Sequence, residues 1–269
     1  SFPLTYAEKG LLQVKLHGPG WEDLPLQAGR ALNVVPDKAT YKGQRLEELL
    51  PVIEQSGVNY TEEAGAVTVL GLSKHSKDAA EGVNAIVGLA ESLSLIQPHP
   101  ALLFIADAVG QDATGAALFG EIKDEPSGAL SFNIATLFID KERSEIGIDI
   151  RIPVLADKDA LVDRLTEVAA SYQLQYEEFD YLAPLYVPLD SPLVSTLMKV
   201  YQEETGDQTP AMSSGGATFA RTMENCVAYG ALFPGALQTE HQANERAKLE
   251  DLYRALEIYA ETIRRLATT

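Results

Sequence analysis

Three places in the sequence hold residue types and spacings suited to chemistry. One is the glycine- and hydroxyl-rich run Ser213-Ser214-Gly215-Gly216-Ala217-Thr218-Phe219-Ala220-Arg221, followed by Thr239-Glu240-His241-Gln242-Ala243-Asn244-Glu245. Glycine lets a backbone approach a ligand closely because it has no Cβ, and a neutral imidazole such as His241 is the commonest protein metal ligand. The competing reading is a glycine-rich turn beside a surface histidine. The second place is His75, set between Lys74 and Lys77 ahead of a helical segment. The third is Arg151, a cation inside an otherwise apolar strand, where an unpaired guanidinium would be costly; an ion pair with a nearby acid is the plain answer. The glutamate pairs Glu62-Glu63, Glu177-Glu178 and Glu203-Glu204 read as a turn, a strand edge and a solvated helix face. His17 and His99 adjoin proline or glycine turns and read as surface residues.

The bulk properties narrow the function class. The chain has 269 residues, 46% hydrophobic and 22% charged, as in globular proteins. A net charge of −18 argues against nucleic acid or an anionic membrane as partner, because the phosphate term would be repulsive. No apolar run has the length of a membrane span, and no basic segment followed by an apolar stretch opens the chain. The single cysteine, Cys226, rules out an intrachain disulfide and fits a reducing, cytoplasmic compartment. Ser1, in place of an initiator methionine, suggests a processed or cut chain.

The elements follow from periodicity. Residues 4–16 alternate as a strand, and 32–35 form a second, stopped by Pro36. Residues 46–55 have helical spacing and end at a Ser56-Gly57 cap. Residues 58–72 read as two strands, 83–96 and 101–109 as helices, 110–128 as a polar loop, and 129–137 with 144–154 as a hairpin. A helix over 157–172 and a strand region over 174–187 follow. Ser191-Pro192 caps a helix that stops at Gly206. Residues 226–233 are apolar throughout, as in a strand buried on both faces. The terminal helix, 249–266, is expected to turn Leu252, Leu256, Tyr259 and Ile263 to the core.

Several stretches, in order, resemble the di-zinc metallopeptidases of the aminoacylase and carboxypeptidase group, most closely the peptidase V-type dipeptidases. They are residues 2–10, Asn33-Val34-Val35-Pro36, His75 to Ile86, Asp149-Ile150-Arg151-Ile152-Pro153, residues 215–221, and Phe233-Pro234-Gly235 through residue 245. The resemblance implies α/β plus α+β architecture: a mainly parallel catalytic domain interrupted by an α+β lid of two similar sheet-plus-helix halves. Residues 1–28 would be a strand and connection of the catalytic domain, 29–187 the lid, and 188–269 the closing part of the catalytic domain. The earlier half of that domain, which in the family supplies most metal ligands and the glutamate base, has no counterpart here. It is the expected partner.

The resemblance also implies roles. His241 would be a zinc ligand in a site holding two zincs, or another divalent metal, when complete. His75 would stabilise the tetrahedral oxyanion, although Lys74 and Ala79-Ala80 depart from the family pattern around it. Arg151 would fork onto the substrate's C-terminal carboxylate, with Asn33 helping to fix that carboxylate or the scissile carbonyl. Gly215, Gly216 and Thr218 would line the substrate groove, and Arg221 would brace the loop. The expected function is metal-dependent hydrolysis of dipeptides by a monomeric or homodimeric parent protein, with the chain alone inactive. The alternatives are a non-catalytic lid-type binding or dimerisation module and an amidohydrolase acting on N-acyl amino acids.

Overall fold

The chain passes between two units at Lys9–Gly10 and again at Leu182–Ala183, so that unit 1 is residues 1–9 with 183–269 and unit 2 is residues 10–182. The computed structural model describes residues 2–237, 239 and 244–268. Strand β1 (Thr5–Glu8) lies in unit 1. Unit 2 runs β2 (Gly10–Pro19), β3 (Leu26–Ala28), β4 (Lys38–Tyr41), α1 (Leu46–Ser56), β5 (Tyr60–Glu63), β6 (Ala66–Leu70), α2 (Ala85–Ser94) and α3 (Pro100–Leu103). It continues through α4 (Ala116–Phe119), β7 (Lys123–Asp124), β8 (Gly128–Ala129), β9 (Ser131–Ile139), β10 (Arg143–Ile152), α5 (Lys158–Ser171) and β11 (Gln175–Leu182). Unit 1 resumes with β12 (Leu185–Tyr186), α6 (Pro192–Thr205), β13 (Met212–Ser214) and α7 (Leu249–Leu266).

Unit 2 holds two main sheets, a five-stranded antiparallel one of order β11-β2-β10-β9-β3 and a three-stranded one, β4-β6-β5, besides the short β7-β8 pair. The β5–β6 turn works because Ala64 and Gly65 both adopt positive φ, 51° and 72°, as a tight hairpin demands. One apolar core joins the two sheets: Val14, Leu16, Ile134, Ile146 and Ile148 from the large sheet, with Tyr41, Ile53, Val67, Leu89 and Phe104. The helices end where capping chemistry says they should. Asp157 accepts the amides of Asp159 at 2.9 Å and Ala160 at 3.2 Å, and Gly57 closes α1 at φ 73°.

Three expectations need correction here. Residues 10–28 belong to unit 2, because β2 is hydrogen-bonded on both sides within its sheet. The two sheets have five and three strands, so the halves are unequal. Residues 32–35 form a single bridge, Val34 to His75, in place of a strand.

Unit 1 has a mixed sheet, β12-β1-β13, in which β1 runs parallel to β13 and antiparallel to β12. Its core is a small aromatic cluster. Phe2 stacks on Tyr201 at 5.4 Å and meets Tyr229 edge-on at 5.1 Å, and Phe233 lies 4.6 Å from it. Residues 226–233 are not a strand; among them only Ala228 bridges, to Thr5, and the apolar composition serves this cluster. The cluster takes the Ala255, Ile258 and Thr262 face of α7. Leu252, Leu256 and Ile263, expected inward, are 47%, 63% and 67% exposed. The helix has two apolar stripes and a core of this size covers one.

His99 is also corrected: it is buried, 1% exposed. Its Nδ1 accepts the Ala101 amide at 3.1 Å and caps α3, so its Nε2–H donates to the Pro19 carbonyl at 3.0 Å. Burial pushes its pKa below the ordinary histidine value, offset in part by the Pro19 bond. A histidine whose folded pKa is depressed contributes stability that is present above its unfolded pKa, about 6.5, and is lost as pH falls below it. The urea midpoint of the chain should therefore fall between pH 7.5 and 5.5, and His99→Asn should flatten part of that slope. His99→Ala should cost about 2 kcal/mol through the lost cap and the orphaned carbonyl. An unchanged slope in His99→Asn would refute the assignment.

Candidate functional site

In unit 2 polar side chains, the candidate Arg151 among them, gather along one lane of the large sheet. Opposite one another across β9 and β10 are Asn133 and Asp149, then Ser131 and Arg151, and Gln13 of β2 sits opposite Asp149. Side chains two residues apart share a face. Thus Asn133 and Ser131 stand beside Asp149 and Arg151, while Phe132, Ile134, Ile148 and Ile150 enter the core behind them.

Arg151 and Asp149 are buried together, at 3% and 0% exposure. Arg151 Nε donates to Asp149 Oδ1 at 2.6 Å and Nη2 to Oδ2 at 3.0 Å, a forked pair; Gln13 Nε2 adds 3.1 Å to Oδ2. The ion pair weighed from the sequence is what the geometry shows.

Asn133 organises the segment above. Its amide donates to Ser76 Oγ at 2.8 Å and to the Val34 carbonyl at 3.0 Å. Its carbonyl oxygen accepts from Asn84 Nδ2 at 3.2 Å. Ser76 Oγ in turn donates to Leu32 O at 3.0 Å, and Ser131 Oγ donates to Ser76 O. Asn84 caps α2, accepting the Ile86 and Val87 amides at 3.0 and 3.3 Å. Two irregular stretches, 32–34 and 75–84, are thereby tied to one strand.

His75 stands at the start of the turn Ser76–Glu81, exposed on the surface. Its Nδ1 accepts the Lys77 amide at 3.2 Å. The neutral ring therefore carries its proton on Nε2, and Nε2 has no hydrogen-bond partner among the described residues. Its pKa lies below the ordinary histidine value. Partial burial of the ring is the largest cause, followed by the positive charges of Arg151 and Lys77, with Asp149 and Asp78 opposing. Asn33 sits alongside: its carbonyl accepts the Ser76 amide at 2.9 Å, while its exposed side-chain amide bonds to nothing among the described residues. His75 and Asn33 thus leave donors open to a ligand.

In unit 1, β13 leads from Ser214 into Gly215 and Gly216. A Cβ on Gly216 would meet only Ser214 Oγ, at 3.3 Å, and the residue has no positive φ. The fold itself does not demand glycine there. Thr218 differs from expectation: its hydroxyl donates to buried Glu8 at 2.6 Å and accepts the Ala220 amide at 3.2 Å, so it is committed internally. Arg221 braces the loop, bonding Glu8 at 2.8 Å and Gly216 O at 2.9 Å. Glu240 and His241 lie outside the described residues.

Asn133, Asn84, Ser76, Asp149 and Glu8 were not anticipated as working parts. The signal was present for some: Ser131-Phe132-Asn133-Ile134 and Asp149-Ile150-Arg151 both place polar groups at alternate positions of apolar strands. Among the described residues no three His, Cys, Asp or Glu side chains group so as to hold a metal ion. The residues in hand do not fit a metal centre by themselves. No described helix is long and apolar enough to cross a membrane.

The profile of peptidase family M20/M25/M40 matches residues 25–265. The chain belongs to this family. The resemblance drawn from the motifs is borne out at that level. A relative from Bacillus subtilis (strain 168), "Putative dipeptidase YtjP", is 33% identical over 290 residues, covering 99% of this chain and 62% of the relative. A relative of the same printed class from Staphylococcus aureus (strain USA300) is 29% identical, covering 97% of this chain and 61% of its own. The solved structure of the di-peptidase Dug1p from Saccharomyces cerevisiae is 10% identical and covers 99% of this chain and 56% of that one, at a TM-score of 0.48. The chain thus spans 62% and 61% of the length of these two relatives.

Nitrogen-15 NMR of the histidines should find His75 as the Nε2–H tautomer at pH 7, titrating below about 6.5. A midpoint above that value would contradict the environment described.

Proposed function

We propose that the parent protein is a metal-dependent dipeptidase and that unit 2 supplies the groups that grip substrate. The observation that carries this is His75: its ring is fixed through Nδ1, kept neutral, and leaves Nε2–H without a partner among the described residues. A preorganised donor of that kind suits an oxyanion developing on a scissile carbonyl, where it costs no reorganisation during reaction. Asn33, with an unengaged side-chain amide one bridge away, adds a second donor toward the carbonyl or the substrate carboxylate. Arg151 takes the C-terminal carboxylate of the dipeptide in this reading. Asp149 holds the Nε–Nη2 edge and so sets the plane of the guanidinium.

Gly215 and Gly216 are proposed to line the substrate groove through backbone, since nothing among the described residues of unit 1 calls for glycine at 216. Thr218 acts behind them by anchoring to Glu8. In this assignment unit 2 is the lid and unit 1 the closing part of the catalytic domain. The uncovered apolar stripe of α7, Leu249, Leu252, Tyr253, Leu256 and Ile263, supports completion of unit 1 by further chain of the parent protein. The complete site would take two zinc ions, with His241 as one ligand and the other donors beyond the described residues. A cytoplasmic location is part of the same reading.

The test is kinetic, on the full-length protein with metal supplied. His75→Ala should lower kcat on dipeptides by about 10²–10³ while KM changes little. Arg151→Lys should raise KM by about tenfold, because an ammonium cannot hold Asp149 and the substrate carboxylate in one plane. Unchanged kcat in His75→Ala would end the proposal.

A further inference from the structure

Glu8 is fully buried in unit 1, which a carboxylate tolerates only when donors surround it. Three are present: the Thr218 hydroxyl at 2.6 Å, the Thr218 amide at 3.0 Å and Arg221 Nε at 2.8 Å. Arg221 is itself nearly buried, with its side chain 7% exposed. Its other nitrogens reach backbone carbonyls from three separate segments. Nη1 donates to Ala183 O at 2.9 Å, and Nη2 to Gly216 O at 2.9 Å and to Lys9 O.

The identity of those carbonyls matters. Lys9 and Ala183 are the two residues at which the chain leaves and re-enters unit 1. Glu8 and Leu185 are register partners, so the two connections start side by side. The third segment is the loop after β13, whose Ser214 carbonyl accepts the Lys9 amide at 3.0 Å. An ion pair that merely neutralised Glu8 would need none of these contacts. One planar guanidinium bridges all of them, which a lysine ammonium cannot reproduce because it lacks the fork.

We propose that Glu8 and Arg221 form a clamp that couples the loop 214–222 to both chain connections, so that loop and connections are held or released together. Ordering the loop then orders the connections, and the coupling is reciprocal. The inference does not depend on the hydrolase reading.

Hydrogen exchange on the 269-residue chain tests it. Arg221→Lys should raise amide exchange by about tenfold or more in the loop and at residues 9–10 and 183–187 alike, while α6 and the β9–β10 hairpin keep their protection. Thr218→Val, which removes one donor to Glu8 but leaves the guanidinium, should loosen residues 216–220 alone. If Arg221→Lys does not fold, the isosteric Glu8→Gln is read at the same amides with the same expectation. Exchange that rises uniformly through unit 1, α6 included, would make the pair a structural one. Loosening of the loop with the connections unchanged would equally overturn the clamp. Dipeptide turnover is not a readout, so failure here and failure of the proposed function are separable.

Discussion

The geometry of unit 2 depends on one buried side-chain amide. Asn133 satisfies Ser76, the Val34 carbonyl and Asn84 from a single position on β9. Irregular backbone over a sheet leaves polar groups that must find partners. Here they converge on one residue that is 1% exposed. Removing that amide would orphan the Val34 carbonyl, at a cost of about 1–3 kcal/mol, and leave Ser76 Oγ with its bond to Leu32 O alone. The His75 turn, the Asn33 segment and the cap of α2 would lose their common anchor. Placement of the candidate oxyanion donor is therefore a matter of sheet chemistry more than of loop sequence.

Both units use the same device. Unit 2 sets a forked Arg151–Asp149 pair beneath its surface; unit 1 sets Arg221–Glu8 beneath its glycine loop. Buried pairs are weak contributors to net stability but costly to break on one side. Such pairs hold geometry well, and each lies next to residues proposed to touch substrate. Thr218 illustrates the division of labour: it was expected to face substrate and serves instead as a donor to Glu8.

Much of this was legible in the residues, and the failures have physical causes. Local signals worked: Ser191-Pro192, Gly57 and Gly206 bound helices where expected, and β9 and β10 pair as the expected hairpin. His75, Asn33 and Arg151 lie in one unit. Long-range pairing was not legible. Nothing local says that β2 belongs with β10, that His99 is sealed under Trp21 and Pro19, or that Asn133 gathers three segments. Composition misled at residues 226–233, where apolar side chains feed an aromatic cluster without a ladder. It misled again at α7, where two apolar stripes compete for one small core.

In the proposed enzyme unit 2 grips the substrate, and donors beyond the described residues complete the metal centre. Membership of the M20/M25/M40 peptidase family supports the metal-dependent reading. The most direct measurement is dipeptide hydrolysis by the purified 269-residue chain in the presence of zinc, beside the full-length protein. Turnover by the full-length protein and none above the blank for the chain is the predicted result. Metal-dependent turnover by the chain alone would contradict it.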